Sequence, residues 1–314
     1  MNLQQFRFLR EVIRRNFNLT QAANHLHTSQ PGISKAIMEF ESELGVQIFE
    51  RHGKRIRGLT RPGADVAKIV ERINQEIENL RRLSEDYAQH DAGRLVIACT
   101  HTQARYALPK VIPMFRQQFP KVHLSLAEGS PTQIAEMVLN DEADVGMATE
   151  TLAKTPGLVS LACYHWEHVL VCHADHPLYA IYRSEGAVGL QDLVCYPIVT
   201  YDTAFSGRRQ IDQVFSDHDL KPDIVLAAVD SDVIKTYVDL GLGVGIIASV
   251  AFDPLHDSPL CSVPVGHLFG RQTARLAVRQ GAFLRDFVRT FIRMMTRQEE
   301  TDALNKLLSQ NNPD

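Results

Sequence analysis

The stretch LTQAANHLHTSQPGISKAIMEFESELGVQIFERHGKRIRGLTRPG, residues 19–63, decides how the front of this chain folds. A helix opens in its middle. Ser29 carries a hydroxyl that can cap free backbone N–H groups, and Pro31 is tolerated in a first turn, where its missing N–H would go unbonded anyway. Ile33, Ile37, Phe40 and Leu44 follow at helical spacing as a buried stripe, and Gly45 ends the helix. A shorter helix precedes it, with Thr20 as expected N-cap and Ala22, Ala23 and Leu26 on its inner face; Phe6, Leu9 and Ile13 mark a first helix. Two helices joined by a tight turn, the second one capped, form a helix-turn-helix whose second member can enter a DNA major groove. Its start would present Thr28, Ser29, Gln30, Pro31, Ser34 and Lys35; Gln can bond adenine edges bidentately, and Ser can serve either base.

Residues 49–61, FERHGKRIRGLTR, change character. Arg51, Lys54, Arg55, Arg57 and Arg61 face a single acid, Glu50, and Gly53 and Gly58 permit turns, so the segment reads as a basic hairpin lying along phosphates or in a flanking minor groove. A helical bundle with a merely solvated basic loop fits the same spacing. From Ala64 to about His90 runs a long polar helix. Its Val66, Val70, Ile73, Ile77, Leu80, Ser84 and Tyr87 follow a heptad seam, the pattern of helices that pair, and we read it as a dimerising linker.

Composition sets the outer bounds. At roughly 150 residues per domain, a 314-residue chain implies about two domains. Hydrophobic residues at 45% and charged residues at 22% allow a packed core and exclude wholesale disorder. Residues 1–90 hold 14 Lys+Arg against 11 Asp+Glu, and the remainder 19 against 26, so the net −4 hides a basic head on an acidic body. No apolar run approaches a membrane span, and Met1–Arg15 lacks the apolar core of a secretory signal, so the expected seat is cytoplasmic with no membrane partner. Five cysteines without a CxxC pair read as free thiols.

After Gly93, strands alternate with helices. Strands are predicted at 94–98, 122–127, 144–148, 168–172, 197–200, 224–228, 245–248 and 273–278, and helices at 104–119, 131–139, 208–218, 231–240 and 283–295. This predicts α/β lobes with helices on both faces of largely parallel sheets and a ligand cleft between them. The expected division is a head over 1–63, a linker helix over 64–90 and a two-lobed domain over 93–300. Lobe 1 would take about 93–165 and 269–300, and lobe 2 about 166–268. Strand carboxyl ends are where such sheets bind ligands. Three ends are rich in hydroxyls: Thr100, Thr102 and Gln103 after one, Thr149 after another, and Thr200 with Ser206-Gly207-Arg208 after a third. They could converge on a small polar anion, or simply cap helices. Tyr164 and Trp166 fall beside the expected lobe crossover, either as an aromatic wall or as hinge packing, and Arg208 could pair a carboxylate or stand solvated.

Residues 19–63 closely resemble the winged helix-turn-helix of LysR-type transcriptional regulators, and the similarity extends through linker and effector domain in the expected order. CTHTQARYALP (99–109), GSPTQIAEMV (129–138), CYHW (163–166), AFSGRRQID (204–212) and DSDVIKTYVDLGLGVGIIAS (230–249) look like the CysB branch, regulators of sulfur assimilation and cysteine synthesis. SKAIMEFESEL (34–44) and YDTAF (201–205) depart from the wording common there. The resemblance implies a winged helix-turn-helix, a linker helix and a two-lobed α/β, periplasmic-binding-protein-like effector domain. It implies that Thr100, Thr102, Gln103, Thr149 and Ser206 line an effector site for an acetylserine-type inducer or a sulfate-like anion, with adenosine phosphosulfate as an alternative. The implied partners are double-stranded DNA, RNA polymerase and further copies of the chain in a homodimer or homotetramer. Ligand closure of the lobes would re-angle the linker helices and change DNA bending.

Other motifs are declined. Cys163, His165, His168, Cys172, His173 and His176 are crowded but do not converge by strand alternation, so no metal is expected. Gly241–Gly245 ends a helix and enters a strand, the reverse of a dinucleotide loop. There is no GxSxG, HExxH or P-loop, and His101 reads as cleft lining or packing, so neither enzyme nor cofactor is expected. A transporter's solute-binding protein would share the lobes but not the basic head.

Overall fold

The computed structural model describes residues 1–53, 55–88 and 91–296. The described residues form two compact units, divided after Ala88.

In the first unit, α1 (Leu3–Arg14) starts from a reciprocal cap between Asn2 and Gln5. The second helix, α2 (Leu19–His25), is capped by Asn18, whose side chain accepts from the Thr20 and Gln21 N–H groups, so the cap expected at Thr20 belongs two residues earlier. Then α3 (Gln30–Leu44) starts from Ser29, whose hydroxyl accepts from the Gly32 N–H, and ends at Gly45 in the left-handed conformation. Strands β1 (Phe49–His52) and β2 (Arg55–Leu59) form the antiparallel hairpin. The long helix α4 (Arg61–Ala88) follows; residues 89 and 90 of the expected linker lie outside the described residues. Phe6, Leu9, Val12, Ile33, Ile37, Phe40 and Val70 share one core. On α4 the heptad seam divides. Val70 is buried, whereas Leu80 is 64% and Tyr87 80% exposed. The front half packs on α1, where the buried Asn74 side chain donates to the Phe6 and Val70 carbonyls and Arg14 pairs with Glu71 at 3.0 Å.

The second unit begins with β3 (Ala92–Cys99). The helix expected over 104–119 is broken into a π-helical turn (Gln103–Ala107), a 3-10 turn (Leu108–Lys110) and α5 (Ile112–Gln118). Pro109 and Pro113 each remove a helical N–H donor, which a continuous α-helix would require. Then come β4 (Lys121–Glu128), α6 (Pro131–Leu139), β5 (Val145–Ala148) and β6 (Leu158–His173). The sequence reading found only the second half of β6. Helices α7 (Pro177–Glu185) and α8 (Leu190–Leu193) precede β7 (Ile198–Tyr201), α9 (Ser206–Asp217), β8 (Ile224–Ala228), α10 (Ser231–Asp239) and β9 (Val244–Ala248). The chain continues through β10 (Leu260–Pro264), α11 (Gly266–Phe269), β11 (Arg271–Arg279) and α12 (Asp286–Met295). Four of these elements, α7, α8, β10 and α11, are additions to the sequence reading.

The strand order is β4-β3-β5-β11-β6-β9-β7-β8, with β10 also on β6. Pairs β3/β4, β3/β5, β7/β8 and β7/β9 are parallel. The central strands β6, β10 and β11 run antiparallel, so the expectation of largely parallel sheets is corrected to mixed ones. β6 pairs with β11 up to Glu167 and with β9 from His168, and this change of partner divides two lobes. Lobe 1 packs Leu95, Phe115, Met147, Leu276 and Phe291 in one core; lobe 2 packs Leu170, Ile198, Phe215, Ile246 and Phe269 in another. This is the expected two-lobed, periplasmic-binding-protein-like architecture. All five cysteines are free thiols. Among the described residues no helix is long and apolar enough to cross a membrane.

Candidate nucleic-acid interface and ligand cleft

At the front of α3, Thr28, Ser29, Gln30, Pro31 and Lys35 are exposed and Ser34 half-buried. Lys35 lies 3.8 Å from Glu39, one helical turn on. In the hairpin, Arg55 and Arg57 are exposed on β2, and Lys54 lies outside the described residues. Arg51 differs from the other cations. Its guanidinium meets the buried carboxylate of Glu41 at 3.0 Å, and the other Glu41 oxygen accepts from the Ile48 and Phe49 N–H groups at 2.8 and 3.1 Å. Glu41 therefore ties the hairpin to α3, and Arg51 neutralises a buried charge inside the head. A charge buried at 3% exposure needs such partners.

In the second unit a cleft of about 430 Å³, open to solvent, gathers the carboxyl ends of β3, β5, β7 and β9. Lobe 1 contributes Thr100, Thr102, Gln103 and Thr149, and Trp166 comes from the crossover strand. Lobe 2 contributes Tyr201, Phe205, Ser206, Gly207, Ala248 and Val250. The Ser206 hydroxyl donates to the Thr149 hydroxyl at 2.6 Å, from one lobe to the other. Ser206 is also the first residue of α9, whose start has no side-chain cap, so the positive end of that helix faces the cleft. Among the described residues, no charged side chain lines the cleft.

Three expected members stand elsewhere. Thr200 is fully buried, and its hydroxyl donates to the Ile246 carbonyl at 2.9 Å. Alternation along β7 turns Thr200 into the sheet and Tyr201 toward the cleft, so the expectation was one residue off. Tyr164 stands behind the wall, where its hydroxyl donates to Gln103 Oε1 at 2.7 Å and fixes that amide. Arg208 bonds the Tyr201 carbonyl at 3.0 Å and Asp212 at 2.7 Å, so it is not a free partner for a ligand carboxylate.

The sequence reading missed Tyr201, Phe205, Gly207, Ala248 and Val250. A strand-end aromatic and the GRR start of α9 were the available signals for the first three. The Tyr201 hydroxyl pairs with Ser231 at 2.7 Å and accepts from the Ala248 N–H at 2.9 Å, and burial raises its pKa. Beneath Gly207 lies His168, fully buried with no hydrogen bond to either ring nitrogen among the described residues. Burial lowers its pKa to about 4, outweighing the opposing effect of the Gly207 backbone. A Cβ on Gly207 would meet His168 Nε2 and the Trp166 ring at 3.2 Å each, so glycine allows this close approach of α9 to the sheet.

The crowd at 163–176 forms no cation cage among the described residues. Among the described residues, His101, Asp230 and Asp232 are a group whose ligand atoms lie within 4.8 Å of one another. Asp232 is already held by Lys235 at 3.2 Å and Arg105 at 3.5 Å, so no metal is assigned there.

A capped helix with an exposed start beside a basic hairpin, and a hydroxyl-bearing cleft between two lobes, thus occupy the two units. The family description "Bacterial regulatory helix-turn-helix protein, lysR family" matches residues 3–64, and "LysR substrate binding domain" matches residues 88–300. The chain belongs to the LysR family of transcriptional regulators. This LysR-type regulator is 56% identical over 296 residues to the HTH-type transcriptional regulator CysB of Burkholderia cenocepacia, covering 94% of this chain and 93% of that one. It is 51% identical over 294 residues to the regulator SsuR of the same organism, covering 94% of each. Among solved structures, the cofactor-binding domain of the Cbl transcriptional regulator aligns with a TM-score of 0.65 at 39% identity, covering 69% of this chain and 93% of that one. The chain is a DNA-binding regulator and not an enzyme.

Proposed function

We propose that this LysR-type regulator controls genes of sulfur assimilation and cysteine synthesis by sensing a small anion in the interlobe cleft, with an acetylserine-type inducer as the leading ligand and sulfate or thiosulfate as competing ones. The observation that carries the reading is a cleft built of hydroxyls, an amide and an uncapped helix start with no charged side chain among its lining residues. Helix starts and hydroxyl donors favour negative charge. The cleft lining offers a free ammonium group neutral acceptors but no carboxylate to pair its charge, so N-acetylserine suits it better than a zwitterion. Similarity to CysB and SsuR supports the pathway. Adenosine phosphosulfate remains the alternative. In this reading Thr100, Thr102, Gln103, Thr149, Trp166 and Ser206 contact the ligand; Gln30, Ser34 and Lys35 read bases; Arg55 and Arg57 hold phosphates. The exposed rear of α4 pairs two copies, and DNA-bound oligomers meet RNA polymerase in the cytoplasm.

Calorimetry of the full chain with N-acetylserine, O-acetylserine, sulfate, thiosulfate and adenosine phosphosulfate tests the ligand class. Selective binding of N-acetylserine or the sulfur oxyanions supports it. Binding of O-acetylserine alone, or of none of the five, overturns it.

A further inference from the structure

Outside the cleft lining, the lobes meet again in a compact polar cluster. Tyr106, on the π-helical turn of lobe 1, packs against a lobe 2 core that contains Val171, Ile234 and Ala251. Its hydroxyl donates to Asp232 Oδ1 at 2.6 Å and accepts from Lys235 Nζ at 3.1 Å. Lys235 is 8% exposed and directs its other donors to the Ala251 carbonyl at 2.9 Å and to Asp257 at 2.7 Å. Arg105 and His101, also from lobe 1, each approach Asp232 Oδ2 at 3.5 Å, and His101 meets Glu128 at 3.1 Å. The Tyr106 hydroxyl thus joins a lobe 1 turn to a half-buried ion pair of lobe 2.

The cluster is continuous with the cleft on both sides. Tyr106 is three residues from Gln103, a cleft-lining amide, within one π-helical turn, a device often found at functional sites. Asp232 follows Ser231, whose hydroxyl bonds the cleft-lining Tyr201. Apart from the chain crossings near His168 and between β10 and β11, closure depends on noncovalent contacts, and charge-assisted hydrogen bonds are the stronger kind.

We propose that Tyr106, Asp232 and Lys235 form an interlobe clasp that holds the cleft closed before ligand arrives and so sets ligand affinity. Its second part rests on the cleft being the effector site; the first does not. A ligand that binds only the closed arrangement gains affinity in proportion to the closed fraction. Tyr106 and Asp232 act as positioning residues, since neither lines the cleft.

The test uses the full chain in a Cys195→Ser, Cys261→Ser background with Glu136→Cys on lobe 1 and Gln213→Cys on lobe 2 carrying spin labels. The labelled chain is diluted with unlabelled chain so that distances arise within one protomer. Without ligand, Tyr106→Phe and Asp232→Asn are each expected to lengthen or broaden the interlobe distance distribution. They should also weaken binding of N-acetylserine or sulfate by up to roughly tenfold, the loss expected for one charge-assisted hydrogen bond. The double variant should lose less than the sum of the two single losses, because Asp232→Asn removes the charge assistance of the bond that Tyr106→Phe removes. Distance distributions unchanged in both single variants overturn the clasp. If neither probe binds the parent protein, the effector reading fails while the distances still decide the clasp.

Discussion

Arg51 and Arg55 stand four residues apart on one hairpin and have different roles. Arg51 neutralises Glu41 inside the head, so Arg51→Ala is expected to destabilise the first unit; Arg55, exposed on β2, is expected to serve phosphates. Arg55→Ala should weaken binding uniformly across DNA sequences and lower the salt slope by about 1, as seen in gel shifts over a salt series. Gln30→Ala should instead cost roughly 1–3 kcal/mol of discrimination between operator and random DNA, and equal losses on both would refute base reading. His168 offers a residue-scale test of stability. Its folded pKa of about 4 lies below the ordinary 6.5, so the native state resists taking up a proton. The stability this secures is complete above about pH 6.5 and is lost as pH falls toward 4, by up to about 3 kcal/mol. In urea titrations at pH 7 and pH 4.5, His168→Leu should lose less stability across that interval than the parent. Identical losses would show that the folded imidazole takes up its proton at the ordinary pKa.

At the scale of elements, α4 and α9 carry the predictions. The front of the α4 seam is occupied by α1, and its rear exposes Leu80 and Tyr87. Leu80→Glu should therefore leave the head folded, by circular dichroism, while shifting the oligomer toward monomer in sedimentation. An unchanged oligomer would remove the rear seam as a pairing face. At the start of α9, Gly207→Ala would press a methyl against His168 and Trp166, each at 3.2 Å. Ligand affinity in calorimetry should fall by about tenfold, equivalent to roughly 1.4 kcal/mol. Much of this level was legible in sequence. The α3 cap at Ser29 and stop at Gly45 follow from local chemistry, and α6 and β8 fall on their expected bounds. The second half of β6 was found without the first, because strand residues 158–167 are selected by pairing with β11, more than a hundred residues away.

For the whole molecule, a ligand held by both lobes should stabilise the chain by about 2.7 kcal/mol at one hundred times its Kd. Thr102→Ala should abolish that gain with N-acetylserine while DNA binding persists. Operator footprint length and bend angle should change on adding the ligand to the parent and stay fixed in the variant. A ligand acts here only through different affinities for two arrangements, so a parent footprint that ignores a bound ligand would end the signalling model.

Local chemistry in the sequence was enough for the helix-turn-helix and the two-lobed α/β class, and it pointed to strand-end hydroxyls at Thr100, Thr102, Thr149 and Ser206 that the structure gathers in one cleft, because caps, periodicity and strand ends act over a few residues. Only the tertiary structure decided that Tyr201 rather than Thr200 faces the cleft, that Arg51 and Arg208 are engaged internally, and that Tyr106 meets Lys235 across the lobes. Those outcomes depend on which face of a strand is buried and on charges brought together from distant positions, and neither is fixed until the lobes pack.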